Sequence, residues 1–167
     1  MSAIHLPQVL LAPLRDQVIG LIDSRSPDVI IGGVDDPYMH RWHLVERNYE
    51  RNAYAHVFFR SDDDRALHDH PWDSVSIVLR GRYLEHTILA GGVHKRTLRS
   101  AGELIHRAAT NAHRVEMIPG GPPPVTLFLT GAAARDWGFH CPERGWVPWR
   151  EFVAADDHGA IGKGCDS

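Results

Sequence analysis

Short runs of apolar and β-branched residues recur between residues 29 and 130, and turns rich in glycine, proline or aspartate separate them. Runs of this length suit strands, because a helix needs a longer periodic stretch to bury one face. Many short strands joined by regular turns predict a β-sandwich or a closed β-barrel. The predicted strands cover residues 29–31, 39–46, 54–59, 74–79, 83–89, 93–98, 103–106, 112–118 and 125–130, with the fourth and fifth paired around Gly81.

A single amphipathic helix is predicted ahead of the strands, over residues 10–26. Pro13 suits the first turn of a helix, and Pro27 ends the element because the residue before a proline avoids the helical conformation. Apolar residues recur at steps of three or four, which places them on one helical face that should pack against the barrel. This face consists of Leu11, Leu14, Val18, Leu21 and Ile22.

The chain of 167 residues fits one domain, with a helical segment (1–27), a barrel and its closing segment (28–153) and a polar, frayed tail (154–167). The formal net charge of -3 supplies no basic surface for nucleic acid and no polybasic patch for a membrane. The N-terminus lacks the layout of a signal peptide, so a cytoplasmic protein is expected. In that compartment Cys141 and Cys165, which belong to no CxxC motif, are expected to be free thiols.

Histidine is frequent, with 12 residues in the chain, and three of them suggest a metal site. His68 and His70 are two residues apart, so in an extended strand both side chains point to one face while Asp69 points away. Asp69 would then either orient a ligand or cap a turn. His113 opens a later predicted strand. The alternative is that these histidines are polar residues at the mouth of an empty barrel.

These residues resemble the two motifs of the cupin superfamily. His68, His70 and Gly81 match a first motif of His-x-His followed at a distance by glycine, and Gly102 and His113 match the second motif. The resemblance covers residues 39–130. It implies an all-β domain, a double-stranded β-helix (jelly-roll, or cupin barrel) with an N-terminal α-helix, that holds one divalent metal ion.

Two departures from the cupin motifs affect the expected site. Ser74 stands where many cupins carry a glutamate ligand, and Ala108 and Thr110 replace the proline and glycine of the second motif. The resemblance then implies three histidine ligands, which leave coordination positions open as catalytic metal sites do. Fe(II) is the preferred metal, while imidazole ligands also suit Zn, Ni, Cu and Mn.

Among cupins, the chain resembles cysteine dioxygenase and related thiol dioxygenases, which also use three histidines and no glutamate ligand. The segment His68-Asp69-His70, with Gly81 and Glu85 after it, is similar to their motif. In that branch an arginine that follows a tyrosine binds the substrate carboxylate. Arg41, after Tyr38, stands in a comparable place, and its guanidinium group would bind a carboxylate with two hydrogen bonds.

This resemblance also implies roles for catalytic and substrate-binding residues. Glu85 and His140 are predicted to move protons, and His140 is the residue shared with the late Ser-x-His-x-Tyr of the thiol dioxygenases. Alternatively, Glu85 ligates the metal or neutralises a buried arginine. Arg41, Trp72 and Tyr83 are predicted to bind substrate, although a surface or interface salt bridge would also explain Arg41.

Two further stretches allow a structural interpretation. The three tryptophans between residues 137 and 149 either seal a core or an interface, or form an aromatic wall over the barrel mouth with His140 reaching toward the metal. The acidic stretch 62–64 is interpreted as a solvated loop between Arg60 and Arg65 rather than as a cation site.

The leading functional hypothesis is a metal-dependent oxidoreductase, a mononuclear non-haem iron oxygenase of the dioxygenase type acting on a small, carboxylate-bearing molecule. One alternative is a redox-neutral isomerase, lyase or hydrolase, in which the metal acts as a Lewis acid. Another is a module that binds a small molecule without turnover. The expected partners are a small-molecule substrate and a second copy in a homodimer, with neither nucleic acid nor a membrane.

Overall fold

The computed structural model describes residues 4–62, 66–155 and 161–166. Every predicted strand is found there, with ends that shift by three residues or fewer, and four short strands (β1, β5, β12 and β13) were not predicted. The helices are α1 (Gln8–Ser24) and α2 (Trp149–Phe152), and the strands are β1 (Ile4–His5), β2 (Val29–Ile31), β3 (Met39–His43), β4 (Asn52–Phe58), β5 (Leu67–His68), β6 (Ser74–Arg80), β7 (Arg82–Ile88), β8 (His94–Ser100), β9 (Glu103–Arg107), β10 (His113–Met117), β11 (Val125–Thr130), β12 (Gly138–Cys141) and β13 (Gly145–Pro148).

The strands form two antiparallel sheets. The seven-stranded sheet has the order β1-β9-β6-β11-β4-β3-β2, and the six-stranded sheet has the order β13-β12-β5-β10-β7-β8. Most neighbouring strands come from distant parts of the chain, because the chain passes repeatedly from one sheet to the other, and the exceptions are β2–β3, β3–β4, β7–β8 and β12–β13. Together with α1, this architecture confirms the predicted all-β double-stranded β-helix with an N-terminal helix.

The turn at Gly81 carries the chain between the sheets. β6 ends at Arg80 in the seven-stranded sheet, and β7 starts at Arg82 in the six-stranded sheet. The prediction that these two strands pair with each other is therefore wrong. Gly81 has a φ of +78°, and a Cβ there would lie 3.0 Å from the Cα of Pro124, so the turn requires glycine. Gly102, with a φ of +98°, makes the corresponding change from β8 to β9.

Helix α1 packs on the outer face of the seven-stranded sheet. Leu11 and Val18 are buried there against residues of β3, β4, β6 and β11, and the other three residues of the predicted apolar face are partly buried beside them. The predicted face is thus confirmed, although the helix begins and ends two residues earlier than predicted. Among the described residues, no helix combines the length and the apolar character needed to cross a membrane.

The inner faces of the sheets differ from this outer core, because they carry buried polar residues. Burial of polar and charged groups costs free energy unless they pair with one another. An interior of this kind therefore indicates a site rather than a packed core. The buried polar residues on β4, β6, β7, β9 and β10 include His56, Ser76, Glu85, Arg107 and His113.

Cys141, at the end of β12, forms a disulfide bond with Cys165, 24 residues later in the sequence. Beside it, the backbone N–H groups of Gly162 and Gly164 donate hydrogen bonds to the carbonyl oxygen of Phe152. The predictions of free thiols and of a frayed tail are therefore wrong for residues 161–166, while residues 156–160 lie outside the described part. The sequence contained no pairing signal, because only the folding of the chain after β12 brings the two cysteines together.

Loss of this disulfide is expected to lower the free energy of unfolding by about 3.5 kcal/mol, the chain-entropy value for a closed loop of this length. The test is urea unfolding of the wild type with and without a dithiol reductant, beside the double variant C141A/C165A. Reductant should lower the midpoint of the wild type and leave that of the double variant unchanged. Equal midpoints for the oxidised and the reduced wild type would contradict the expectation.

Candidate metal centre

Three histidines lie together between the sheets: His68 on β5, His70 just beyond it and His113 on β10. One ring nitrogen from each lies within 4.8 Å of the others, and the Nε2 atoms of His70 and His113 are 3.0 Å apart. Two nitrogens bound to one metal ion at about 2.0–2.1 Å are separated by roughly 3.0–3.4 Å, so this pair already has the spacing of two ligands. Across the described ranges, no other group of potential ligands meets this criterion. The donor set fits a divalent metal ion.

Local strand pairing explains why the three histidines meet. β5 lies between β10 and β12, and His113 pairs directly with His68. His70 continues the extended chain, and its backbone N–H donates a hydrogen bond to the carbonyl oxygen of Ala109, just before β10. Asp69 contacts the β12–β13 hairpin instead of the cluster, as the alternation of side chains along an extended chain predicts.

Carboxylates lie beside ring nitrogens of two of these histidines. Oε1 of Glu85 is 3.3 Å from Nδ1 of His113, and Oδ2 of Asp62 is 3.7 Å from Nδ1 of His68. Neither contact has hydrogen-bond geometry, and Nδ1 of His113 has no hydrogen-bond partner within the described ranges, but a carboxylate this close favours a proton on the ring nitrogen that faces it. Because Nε2 of His113 is the nitrogen that faces His70, Glu85 supports this ligand from behind and is not itself a fourth ligand.

Burial keeps two of the histidines neutral. Desolvation is the main cause that lowers the pKa of His113 to about 4, and it also lowers the pKa of His70 well below the ordinary value. At His113 the charge of Arg107 acts in the same direction, while Glu85 opposes it. A neutral imidazole offers the lone pair that a metal ion requires, so both residues are in the correct charge state at neutral pH.

Glu85 is buried and joins two arginines. Nε of Arg107 donates a hydrogen bond to Oε1 at 2.7 Å, and Nε of Arg99 donates one to Oε2 at 2.7 Å. Arg99 also donates to the carboxylate of Glu103. Burial would raise the pKa of Glu85, but His113 and the two arginines outweigh burial and hold the pKa well below its usual range. Glu85 is therefore the ionised partner of buried arginines, and this charge state does not favour the predicted proton transfer.

Asp69 ties the segment with the two ligands to the β12–β13 hairpin. Its carboxylate accepts hydrogen bonds from the backbone N–H of Gly138 at 2.8 Å and from Nε1 of Trp146 at 3.0 Å, and it forms an ion pair with Arg135 at 3.0 Å. Asp69 is 1 % exposed, so these contacts replace its hydration. The residue thus connects β12 to the chain between His68 and His70, and does not cap a turn.

His140 lies away from the metal cluster. Its Nε2 is 3.0 Å from the Asp69 carboxylate, and its side chain is 42 % exposed. Phe139, the preceding residue of β12, pairs with His68 and contacts its ring at 5.9 Å between ring centres. Neighbouring residues of a strand point to opposite faces, so His140 projects from the outer face of the sheet. The expectation that His140 reaches the metal is not met, and its position removes it from the chemistry proposed below.

Asp69→Asn is expected to weaken metal binding roughly 10- to 100-fold, the range for loss of a group that orients a ligand. The neutral amide cannot accept all the hydrogen bonds that hold the hairpin against the ligand segment. Competition between the protein and a chelator for Zn(II) measures the affinity. Asp136→Asn, which changes an exposed aspartate just before β12, is the matched control and should bind like the wild type. Equal affinities for both variants would contradict the role of Asp69.

The histidines open into a cavity of about 870 Å³. Arg41, Trp72 and Tyr83, the predicted substrate-binding residues, all line this cavity. Trp72 stacks on the metal-site residue His70, with ring centres 4.7 Å apart and an interplanar angle of 11°. The structure therefore brings the predicted binding residues and the histidines to one space. Further aromatic residues of the lining are Tyr38, Tyr54, Phe58, Phe128, Trp137, Phe139, Trp149 and Phe152.

Sequence reasoning missed His56 and Asp62, which also line the cavity. The signal for His56 was available, since β4 places it on the same face as two aromatic residues. Asp62 was assigned to a solvated loop, and this is wrong. It lies beside β10 and accepts a hydrogen bond from the backbone N–H of Val115 at 2.7 Å. The rest of that stretch, residues 63–65, falls outside the described ranges.

Arg41 has no acidic partner among the described residues of this chain, so the predicted alternative of a surface salt bridge is not found there, while a salt bridge across an interface stays a prediction. Nε of Arg41 donates a hydrogen bond to Nε2 of His56 at 3.0 Å, and its Cζ lies 5.0 Å from the ring centre of Tyr54. Burial lowers the pKa of Arg41, yet a guanidinium group stays charged at neutral pH. The cavity therefore contains a positive charge without a protein counter-ion in the described ranges.

Solved structures share this arrangement of strands. A proposed mannose-6-phosphate isomerase from Ralstonia eutropha JMP134 superposes with a TM-score of 0.50 and 23% identity, over 64% of this chain and 93% of that chain. Oxalate decarboxylase from Bacillus subtilis superposes with a TM-score of 0.50 and 15% identity over 71% of this chain. The chain has the cupin fold. It spans about 30% of the oxalate decarboxylase, and no protein-family model and no curated protein matches its sequence.

Ser74 stands where many cupins carry a glutamate ligand. In this chain Ser74 is buried at the start of β6, and its hydroxyl has no hydrogen-bond partner within the described ranges. Glu85 is engaged by Arg99 and Arg107, so it does not replace the missing carboxylate ligand. Within the described residues the candidate site would thus offer three histidine ligands and leave coordination positions open, as catalytic metal sites do.

Proposed function

We propose that this cupin is a mononuclear non-haem iron oxygenase that acts on a small molecule bearing a carboxylate. One observation supports the proposal above all: three histidines, with no fourth ligand grouped with them among the described residues, face a cavity large enough for a substrate. The open positions suit a chelating substrate and a small co-reactant. When bound, Fe(II) would supply the redox chemistry for a reaction with dioxygen.

The protein's own residues have three roles in this proposal. Arg41 binds the substrate carboxylate through its terminal nitrogens, because a guanidinium group matches a carboxylate with two parallel hydrogen bonds. Glu85 holds the proton of His113 on Nδ1 and so keeps Nε2 free for the metal. Trp72 restricts the ring of His70 by stacking on it and keeps water from that side of the site.

A redox-neutral, metal-assisted isomerase is the second candidate. The similarity to a protein named as a proposed mannose-6-phosphate isomerase favours it, since the match covers 93% of that chain. The same three histidines would hold a metal that acts as a Lewis acid on a carbonyl oxygen. Arg41 would then bind a phosphate group in the way it would bind a carboxylate.

The proposal is tested with metal-free protein that is loaded anaerobically with Fe(II), Mn(II) or Zn(II). On mixing with aerated buffer and a panel of small carboxylic acids, we expect oxygen uptake by the Fe(II) form alone, and none by His113→Ala. His106→Ala, which changes an exposed histidine of β9, is the matched control and should keep full uptake. Turnover by the Zn(II) or Mn(II) form without oxygen uptake would support the isomerase. Ligand binding without turnover for every metal would overturn both candidates.

A further inference from the structure

We propose that the disulfide bond between Cys141 and Cys165 is a redox switch that holds one wall of the cavity beside the metal histidines in place. This wall is the C-terminal strap, defined as residues 149–155 and 161–166. Reduction of the disulfide releases the strap and opens the cavity on that side. The inference rests on the proposed function for the use of the cavity, but the movement of the strap can be tested without any turnover.

The strap separates the cavity from solvent. Its inner side lines the cavity through Trp149, Phe152, Val153, Ala155 and Ile161. Phe152 is 1 % exposed, whereas its neighbour Glu151 lies on the exposed side. Ile161 lines the cavity and is also 40 % exposed to solvent. A single layer of chain therefore lies between the cavity and water at this place.

Aromatic contacts connect the strap to the metal histidines. Phe152 stacks on Phe139 of β12, with ring centres 3.6 Å apart and an interplanar angle of 10°. Phe139 in turn pairs with His68 and contacts its ring at 5.9 Å between ring centres. If Phe152 moves away, Phe139 loses the ring that packs on it. Release of the strap is therefore expected to loosen the packing of Phe139 against His68.

The second half of the strap, residues 161–166, bonds to the first half and belongs to neither sheet. The backbone N–H groups of Gly162 and Gly164 donate hydrogen bonds to the carbonyl oxygen of Phe152 at 2.9 and 3.1 Å. Arg144, in the β12–β13 turn, donates a hydrogen bond to the carbonyl oxygen of Gly164 at 3.3 Å. The disulfide adds a covalent link to β12, which is stronger than this long hydrogen bond.

The two sulfur atoms differ in their access to solvent. Cys141 is 4 % exposed, whereas Cys165 is only partly buried. A thiolate of a dithiol would therefore attack Sγ of Cys165, which forms a mixed disulfide and releases Cys141 as a thiolate that takes up a proton. The second thiol group of the dithiol then displaces Cys165 as a thiol. The dithiol becomes a cyclic disulfide, so two electrons and two protons pass from it to the protein.

Reduction returns conformational freedom to the strap. The disulfide joins residues that are 24 positions apart, and a bond that closes such a loop limits the conformations open to the chain. A segment at the end of a domain is poorly ordered unless it is tied down. Because the strap is not a strand of either sheet, it can open locally while the two sheets stay folded.

Amide hydrogen exchange followed by NMR on metal-free protein tests the release of the strap. After reduction we expect the amides of Gly162 and Gly164 to exchange about 10-fold faster or more, with exchange in β4 and β11 unchanged. The double variant C141A/C165A should match the reduced wild type, with or without reductant, and the reduced wild type suffices if this variant fails to fold. Glu151→Gln, which changes an exposed residue of the strap, is the matched control and should match the oxidised wild type.

Transfer of Zn(II) from the loaded protein to a chromophoric chelator tests the opening of the cavity. We expect C141A/C165A, which has no thiol that could bind Zn(II), to release the metal about 10-fold faster than the oxidised wild type. Glu151→Gln should release it at the rate of the oxidised wild type.

Three results would overturn the inference: unchanged exchange of the two glycine amides after reduction, faster exchange without faster release of Zn(II), or an equal loss of protection in β4 and β11. In the last case the disulfide would hold the whole fold rather than the strap. Failure to bind Zn(II) or to take up oxygen with Fe(II) would instead refute the proposed function. The exchange of the glycine amides would still decide whether the disulfide holds the strap.

Discussion

Glu85→Ala is expected to lower the free energy of unfolding by about 3–5 kcal/mol, the cost of removing one partner from a buried ion pair. The carboxylate neutralises Arg99 and Arg107, whose side chains are 7 % and 1 % exposed. Without it, Arg99 keeps Glu103 as a partner, but Arg107 is left with neutral groups such as the hydroxyl of Ser76. Urea unfolding of the metal-free protein measures the loss.

Asp136→Ala provides the matched control for this prediction. Asp136 also pairs with an arginine, but its side chain is 51 % exposed and that of Arg150 is 65 % exposed. Exposed ion pairs contribute about 0–1 kcal/mol, so this variant should unfold close to the wild type. If Glu85→Ala and Asp136→Ala lost the same free energy, the buried network would not stabilise the barrel interior as described.

His113→Ala is expected to have the largest effect on metal affinity. The change removes a ligand and also the link from the cluster to Glu85, which lies 3.3 Å from Nδ1. The affinity for Zn(II) should fall by more than the roughly 10- to 100-fold that loss of an orienting group costs. Calorimetric titration of the metal-free variant measures it.

His106→Ala is the control for metal affinity, because His106 is exposed and β9 belongs to the sheet opposite the one that carries His68 and His113. Circular dichroism of both variants checks that they are folded. An affinity of His113→Ala equal to that of His106→Ala would mean that the metal binds elsewhere or that His113 is not a ligand.

The features that were predictable from the sequence depend on local periodicity. Alternation placed His68 and His70 on one side of the chain, and steps of three or four residues gave the apolar face of α1. The spacing from Gly81 to Gly102 and His113 could be read because both glycines make turns with positive φ between the sheets. Few other residues adopt a positive φ without strain, so glycine at these turns can be recognised from the sequence.

The features that were missed depend on contacts between distant parts of the chain. No residue near Cys141 in the sequence indicates its disulfide bond with Cys165. Likewise, no residue near Asp62 indicates that its carboxylate accepts a hydrogen bond from the backbone of β10. The prediction that His140 reaches the metal relied on a family motif. In the structure, the register of β12 against β5 places Phe139 on the inner face instead. A shift of one residue exchanges the two faces of a strand, and a motif alone does not fix that register.

X-ray absorption at the metal edge of the Fe(II)- or Zn(II)-loaded protein tests the three-histidine site most directly. The structure predicts one metal per chain and scattering from three imidazole rings, with nitrogen at about 2.0–2.1 Å and no sulfur. The imidazole signal should drop by one ring, or the metal should be lost, in His113→Ala. A spectrum with sulfur or only oxygen ligands, or an unchanged spectrum in that variant, would contradict a metal centre built from His68, His70 and His113.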